Sequence, residues 1–223
     1  MVNKEVWEEL QAEFQGKGVT LVAVSKMKPA NDIKELYDCG QRDFGENYVQ
    51  ELVEKQTHLP HDIRWHFIGH LQSNKVKDIA AFVHLIHAVD SFKLFTEINK
   101  QAKKNDRIIN VLLQMHIASE DTKFGMNEKE LSAFIDSYAS SEKELQNVRI
   151  CGLMGMATNT ENEQQVHSEF FKLHEFFKVL SEIFFSGRPY FSICSMGMSA
   201  DYQIAVTEGG TMVRIGSMLF GKR

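Results

Sequence analysis

Residues 20–45, TLVAVSKMKPANDIKELYDCGQRDFG, contain the pattern that decides the fold of this chain. An apolar run suited to a β-strand comes first, a polar turn follows, and apolar residues then recur at helical spacing until Gly40. A second short strand is predicted at residues 43–45. A strand, a helix and another strand in this order form a βαβ unit, in which the two strands are parallel.

The same unit recurs along the rest of the chain. Eight strands are predicted, at residues 20–26, 43–45, 65–69, 85–90, 110–117, 149–154, 190–195 and 212–215. Asn127, with Glu130 three residues later, predicts a helix start, and a long helix is predicted from about Glu163 to Phe184. We therefore expect an α/β fold, a single (β/α)8 barrel of the TIM type. A doubly wound open sheet is the alternative, but the turn SKMKPAN lacks the GxGxxG pattern of its nucleotide-binding form.

Composition excludes several other classes of protein. The chain has 223 residues, is 43% hydrophobic and carries a net charge of −5, so neither nucleic acid nor an anionic membrane is an expected partner. No linker is visible, so residues 1–223 are predicted to form one domain with an amphipathic N-terminal helix instead of a signal peptide. Cys39, Cys151 and Cys194 match no zinc-ligand spacing, and neither do the nine histidines, so we expect no metal, reduced thiols and a cytoplasmic location.

Chemistry in such a barrel belongs at the carboxyl ends of the strands. Lys26 ends the first predicted strand and shares a face with Val22 and Val24. An amine aimed into an apolar mouth is favoured in its neutral, nucleophilic form, which can condense with a carbonyl as a Schiff base. Lys28 satisfies the same reasoning, and a lysine that simply reaches solvent is the plain alternative.

The last two strands end in runs typical of a phosphate site. SMGMSAD follows at residues 195–201 and RIGS at residues 214–217. The N–H groups of Gly216 and Ser217, with the hydroxyls of Ser195 and Ser217, are the predicted anchors. Arg214 is predicted to point inward, where a phosphate, a carboxylate, a ring nitrogen or a salt bridge with Glu208 would satisfy its charge.

Several longer runs resemble one known family. The runs are LVAVSKMKP (21–29), DFGENYVQEL (43–52), WHFIGHLQSNK (65–75), GLMGMA (152–157), SMGMSADYQIAV (195–206) and GGTMVRIGSMLFG (209–221). They are similar to the pyridoxal phosphate homeostasis proteins, a family that resembles the barrel domain of alanine racemase. The resemblance implies that pyridoxal 5′-phosphate (PLP) is bound as a Schiff base on Lys26. It also implies that the 3-hydroxyl lies beside Asn47 and that the pyridine nitrogen faces Arg214. The phosphate is expected on Ser195, Gly216 and Ser217, and His66 is expected to line the pocket.

The resemblance also implies a function in vitamin B6 homeostasis. The protein is expected to hold PLP reversibly without catalytic residues, to limit the free aldehyde and to deliver the cofactor to apoenzymes, as a monomer or weak homodimer. An amino-acid racemase using Lys26 is the main alternative, and a cofactor-free class I aldolase is the third. Racemisation is disfavoured because Arg214 would leave the pyridine nitrogen unprotonated and weaken the ring as an electron sink. The tyrosine that alanine racemases supply from a further C-terminal domain is also not expected here.

Overall fold

The strands of this protein close into a barrel, as a computed structural model that describes residues 2–119 and 124–221 shows. In this described part of the chain, eight parallel strands pair in their order along the sequence, and the last pairs with the first. They are β1 (Thr20–Val24), β2 (Asp43–Glu46), β3 (Arg64–Phe67), β4 (Leu85–Val89), β5 (Ile109–Met115), β6 (Val148–Gly155), β7 (Ile193–Ser195) and β8 (Met212–Ile215). The predicted (β/α)8 barrel is confirmed, and the open-sheet alternative is wrong.

Helices lie outside the barrel, and all but the first and the last of those described connect consecutive strands. They are α1 (Lys4–Gln15), α2 (Ala30–Asp38), α3 (Val49–His58), α4 (Val76–Ile79), α5 (Phe92–Lys104), α6 (Glu128–Ser141), α7 (Glu163–Ile183), α8 (Tyr202–Thr207) and α9 (Ser217–Phe220). None of the helices among the described residues has the length and apolarity needed to cross a membrane.

The helix boundaries follow from local hydrogen bonding. Asn127 caps α6, because its side chain accepts from the Glu130 N–H at 3.0 Å while the Glu130 carboxylate accepts from the Asn127 N–H at 2.8 Å. The predicted capping box is thus confirmed. In α7, Val166, Phe170 and Leu173 are buried in the main core, whereas Phe184, directly after the helix, is 45% exposed.

Two predicted strands, the first and the seventh, are longer than the observed ones by at least two residues. β1 ends at Val24, two residues before Lys26, because the chain turns at Met27, which has a positive φ of 60°. β7 covers only Ile193–Ser195, and the three residues before it belong to the preceding loop. β8, by contrast, has the predicted bounds of residues 212–215.

The barrel interior is filled by side chains from the inward faces of the strands. Its apolar part is a cluster separate from the main core, formed by Val22, Leu85, Ala88, Leu112, Cys151, Met154 and Met212. His66, His87, Ser195 and Arg214 are also buried. The interior is therefore a packed core with a polar line through it, and any open space lies at the ends of the strands.

Candidate functional site

A cavity of about 360 Å³ opens at the carboxyl ends of the strands. It is lined by Val24, Lys26, Lys28, Asn47, Ile68, Met156, Met198, Ser199, Ala200, Arg214, Gly216, Ser217 and Gly221. Among these described residues there are three cationic side chains and no carboxylate. The cavity is therefore suited to an anionic ligand of small-molecule size.

The turn after β1 carries Lys26 to the cavity wall, where the residue is half-buried. Met27, which follows it, adopts a left-handed backbone conformation that is uncommon outside glycine. The N–H of Met27 donates to Glu51 Oε1 at 2.5 Å, and the carbonyl of Ser25 accepts from Lys55 Nζ at 2.7 Å. Both neighbours of Lys26 are thus held from α3, which fixes the turn that presents the amine.

Lys55 is the centre of a buried ionic cluster behind this turn. Its ammonium group contacts Glu46 Oε1 at 2.8 Å and Glu51 Oε1 at 2.5 Å, and the Ser25 hydroxyl donates to Glu46 Oε1 at 2.6 Å. Burial raises the pKa of the Glu46 carboxyl, and the charge and hydrogen bond of Lys55 oppose that rise. Such a cluster keeps its shape only while every charge retains its partner.

Lys28 also lines the cavity, but its amine is committed to the backbone. Lys28 Nζ donates to the carbonyl oxygens of Phe220 at 2.8 Å and of Gly221 at 3.2 Å. This lysine therefore joins the turn after β1 to the end of α9. Lys26 and Lys28, which the sequence left open as the reactive amine, both line the cavity.

Arg214 points into the barrel from β8, as the alternation of side chains predicts, and is only 4% exposed. Its Nη1 donates to Ser195 Oγ at 2.6 Å and its Nη2 to the carbonyl of Gly155 at 3.0 Å. Burial lowers the pKa of the guanidinium to about 10, so it stays protonated at neutral pH. The salt bridge with Glu208 does not form, because that carboxylate contacts His167 Nδ1 at 2.7 Å.

Asn47 follows β2 and contributes an amide to the cavity wall. Its Oδ1 atom is buried and accepts no hydrogen bond from any described residue. A buried acceptor without a partner is costly, so this oxygen fits a ligand that donates a hydrogen bond. Gly69 lets Asn47 lie here, since a Cβ at position 69 would be 2.3 Å from the Asn47 carbonyl oxygen.

The loops after β7 and β8 meet at the other side of the cavity. The N–H of Gly216 donates to Ser199 Oγ at 3.3 Å, and Ser217 lies exposed beside it. A Cβ at Gly216 would be 3.1 Å from the Val24 carbonyl oxygen, so only a small residue fits between β8 and β1. Sequence reasoning missed Ser199, although it lies inside the SMGMSAD run that had been singled out.

Two of the seven predicted site residues lie away from the cavity lining. Ser195 is fully buried, and its hydroxyl is bonded to Arg214 and lies 3.3 Å from His87 Nδ1. His66 is 1% exposed and bonded to Asp43 and His87 deeper in the barrel. Both do face the interior, as expected. They lie below the cavity lining, however. The sequence could not predict this, because alternation along a strand indicates the face of a side chain and not its depth.

One group of side chains has the spacing of metal ligands. Ligand atoms of Asp43, His66 and His84 all lie within 4.8 Å of one another. Arg64, however, donates to both carboxylate oxygens of Asp43, with its Nε 2.7 Å from Oδ1. Burial would raise the pKa of Asp43, but the hydrogen bonds from Arg64 and His66 hold it well below the usual range. A guanidinium already neutralises this carboxylate, so we do not assign a metal here.

Fold and cavity together define the class: a TIM-type barrel with a cationic, lysine-bearing cavity at the carboxyl ends of its strands. Residues 4–223 match the family described as alanine racemase, N-terminal domain. The pyridoxal phosphate homeostasis protein of Aquifex aeolicus is 39% identical over 224 residues, which cover 98% of this chain and 95% of that protein. The chain thus belongs to the alanine racemase N-terminal domain family, among the pyridoxal phosphate homeostasis proteins, and the resemblance found in the sequence is confirmed.

Solved structures of related proteins have the same fold. The structure of PipY of Synechococcus elongatus without PLP has a TM-score of 0.87 and a sequence identity of 35% to this chain. The match covers 97% of this chain and 99% of the PipY chain. The PLP-bound structure of PipY has a TM-score of 0.82. The alanine racemase of Streptomyces coelicolor has a TM-score of 0.73 at 15% identity, with 96% of this chain covering 56% of that enzyme. At that identity the likeness concerns the fold alone.

Proposed function

We propose that this protein binds PLP in the cavity as a Schiff base on Lys26 and takes part in vitamin B6 homeostasis. The observation that carries the proposal is a cavity of about 360 Å³ with Lys26, Lys28 and Arg214 in its wall and no carboxylate among its described lining residues. Relatives named for PLP homeostasis and a PipY structure titled as PLP-bound support the choice of ligand.

The polar groups of the wall other than Lys28 each have a partner in a phosphorylated pyridine aldehyde. Lys26 forms the covalent link, and Arg214 faces the ring nitrogen. The unpartnered Oδ1 of Asn47 accepts from the 3-hydroxyl. The phosphate lies where Gly216 and Ser217 meet the loop after β7.

We expect the Ser199 hydroxyl, and not that of Ser195, to bind the phosphate from the loop after β7, because Ser199 lines the cavity beside Gly216. Ser195 and His66 support the site from below without touching the ligand, since neither lines the cavity.

The wall is built for holding the cofactor more than for catalysis. When bound, PLP supplies a reactive aldehyde and an electron-withdrawing ring. Arg214 keeps its proton, so the ring nitrogen receives a hydrogen bond and stays unprotonated. Racemisation needs an acid or base on each face of a planar carbanion, and no tyrosine is among the described lining residues.

Delivery to apoenzymes is the further part of the proposal. Met27, Tyr48 and Met198 are 61%, 53% and 40% exposed. Met198 lines the cavity, Met27 follows Lys26 and Tyr48 follows Asn47. Together they offer an apolar rim against which an acceptor protein can dock. Transfer to an apoenzyme faster than release of PLP into buffer would support delivery, whereas equal rates would contradict it.

The attachment site is tested by reduction with borohydride and peptide mapping. Protein loaded with PLP should absorb in the visible, and the reduced phosphopyridoxyl group should be found on the peptide containing Lys26. Lys26→Ala should abolish the visible band, while Lys28→Ala, the matched control from the same wall, should retain it. Label found chiefly on another lysine would contradict the assignment, and a wild-type protein without a visible band would exclude PLP and leave the aldolase alternative.

The phosphate anchors are tested by comparing PLP with pyridoxal. A hydrogen bond to a charged group contributes about 1.5–3 kcal/mol, so Ser199→Ala or Ser217→Ala should weaken PLP binding by roughly ten- to a hundred-fold. Pyridoxal binding should change little. Ser140→Ala, an exposed serine on α6, is the control. Equal losses for both ligands would show that the phosphate is held elsewhere.

The racemase alternative is tested by α-proton exchange of alanine in deuterated water. With one acid–base group at the reacting face, exchange should occur near the rate of free PLP. Stereospecific exchange at ordinary enzyme turnover, on the order of 1–10³ per second, would overturn the non-catalytic role.

A further inference from the structure

A line of hydrogen-bonded side chains crosses the barrel interior from the cavity to the opposite end. Arg214 Nη1 donates to Ser195 Oγ at 2.6 Å, and Ser195 Oγ lies 3.3 Å from His87 Nδ1. His87 Nε2 is 2.9 Å from His66 Nδ1, and His66 Nε2 is 2.9 Å from Asp43 Oδ1. All five residues are at most 7% exposed, and each comes from a different strand.

This line has a defined direction when both rings are neutral. The Asp43 carboxylate can only accept, so His66 carries its proton on Nε2 and accepts at Nδ1. His87 must then donate from Nε2 and accept at Nδ1 from the Ser195 hydroxyl, whose oxygen accepts from Arg214. Between the two ends, Ser195, His87 and His66 then each donate once and accept once along the line. A second proton on His66 would reverse the line, since His66 would then donate to His87 Nε2 and His87 would donate from Nδ1 to Ser195 Oγ.

The charges at the two ends agree with this arrangement. Hydrogen bonds from Arg64 and His66 keep the pKa of Asp43 low despite its burial, so it is ionised at neutral pH. Burial, above all, and the charge of Arg214 lower the pKa of His87 well below its ordinary value, so this ring is neutral. An anion therefore ends the line at one side and a cation at the other, with the neutral His87 ring between them, and successive hydrogen bonds polarise one another.

We infer that Asp43, His66 and His87 are positioning residues that act through Ser195 to hold the Arg214 guanidinium against the ligand. The inference rests on the proposed function, in which Arg214 faces the ring nitrogen of PLP. It gives His66 a role other than lining the pocket. The guanidinium itself is bonded to two neutral oxygens, Ser195 Oγ and the Gly155 carbonyl, and the charge of Asp201 favours its protonated form.

The direction of the line is tested without any ligand. In protein labelled with ¹⁵N-histidine, long-range ¹H–¹⁵N correlation spectra distinguish the two neutral tautomers and the doubly protonated ring. At pH 8 the resonances lost in His66→Gln and His87→Gln should both belong to Nε2–H tautomers. A Nδ1–H tautomer at either position, or a doubly protonated ring, would overturn the inferred direction.

The effect on Arg214 is tested by PLP affinity and by the visible band of the holoprotein. His87→Leu removes a link, so PLP binding should weaken on the order of tenfold and the band should shift as the ring nitrogen loses its fixed donor. His87→Gln keeps one donor and one acceptor and should restore both readouts in large part. His84→Leu is the matched control, since His84 packs 5.4 Å from the His66 ring outside the line and is exposed.

Asp43→Asn separates charge from hydrogen bonding. Asparagine still accepts from His66 but carries no charge, so the variant should move the visible band in the same direction as His87→Leu, and by less. Wild-type affinity and band position in both His87→Leu and Asp43→Asn would overturn the inference. A wild-type protein that never develops a visible band would refute the proposed function instead, and the tautomer spectra would still decide the direction of the line.

Discussion

Replacing Lys55 with methionine should destabilise the protein strongly, although this lysine does not line the cavity. Its side chain is 8% exposed and contacts the carboxylates of Glu46 and Glu51 as well as the Ser25 carbonyl. Removing one partner of a buried ion pair leaves an uncompensated buried charge and costs about 3–5 kcal/mol. Since folded domains are stable by only about 5–15 kcal/mol, Lys55→Met should lose a large part of the total free energy of unfolding.

Urea denaturation followed by far-UV circular dichroism measures this loss, and pH provides a further check. Burial raises the pKa of Glu46, and losing Lys55 raises it further. A carboxyl whose pKa is higher in the folded than in the unfolded state lowers stability as pH rises above the unfolded value of about 4.3. The cost of Lys55→Met should therefore be larger at pH 8 than at pH 5.

Two further variants decide whether the buried charge is the cause. Glu46→Gln combined with Lys55→Met removes the charge as well as its partner and should recover much of the loss. Lys178→Met is the matched control, because Lys178 and Glu175 form an exposed pair at 3.5 Å that contributes about 0.5 kcal/mol or less. A loss below about 1 kcal/mol in Lys55→Met, or no recovery in the double variant, would refute the reasoning about this cluster.

The other predictions concern the cavity wall, acid stability and thiol reactivity. Gly69→Ala should weaken PLP binding at least tenfold in a fluorescence titration, because its Cβ would lie 2.3 Å from the Asn47 carbonyl oxygen. The lowered pKa of Asp43 stabilises the folded protein at pH values above the ordinary carboxyl pKa of about 4, and this stabilisation is lost as the pH falls below that value. Without Arg64 the pKa is lowered less, so in Arg64→Met the free energy of unfolding, measured by urea denaturation, should fall less steeply with decreasing pH. A thiol reagent should modify Cys39 first and Cys194 only on unfolding, because burial raises the pKa of Cys194 to about 12.

Local signals were sufficient to predict the barrel and much of its detail. β8 has the predicted bounds, and the capping box at Asn127 and the start of α7 at Glu163 are observed where the sequence places them. These features depend on residues within a few positions of one another. Lys26, Asn47 and Arg214 were located through motifs, and the structure brings all three to one cavity.

The features that were missed depend on contacts between distant parts of the chain. The Lys28 amine is bonded to the carbonyl of Phe220, a residue 192 positions away, and nothing near Lys28 indicates this. Ser195 was predicted from the run after the seventh strand and His66 from the family resemblance, and neither source indicates that both side chains lie outside the cavity lining. Asp43 was not singled out at all, since its importance lies in partners on other strands.

The closure of the barrel between its first and last strands makes one seam different from the other seven. β1 and β8 pair through four registered positions, from Thr20 with Met212 to Ala23 with Ile215. Strands that are farthest apart in sequence meet here, so closing this seam costs the most chain entropy. A molecule attached to Lys26 and anchored at Gly216 would link the loop after β1 to the loop after β8 and so stabilise the pairing of these two strands. Ligand binding should therefore slow amide hydrogen exchange in β1 and β8 more than in β4 and β5, which lie on the opposite side of the barrel.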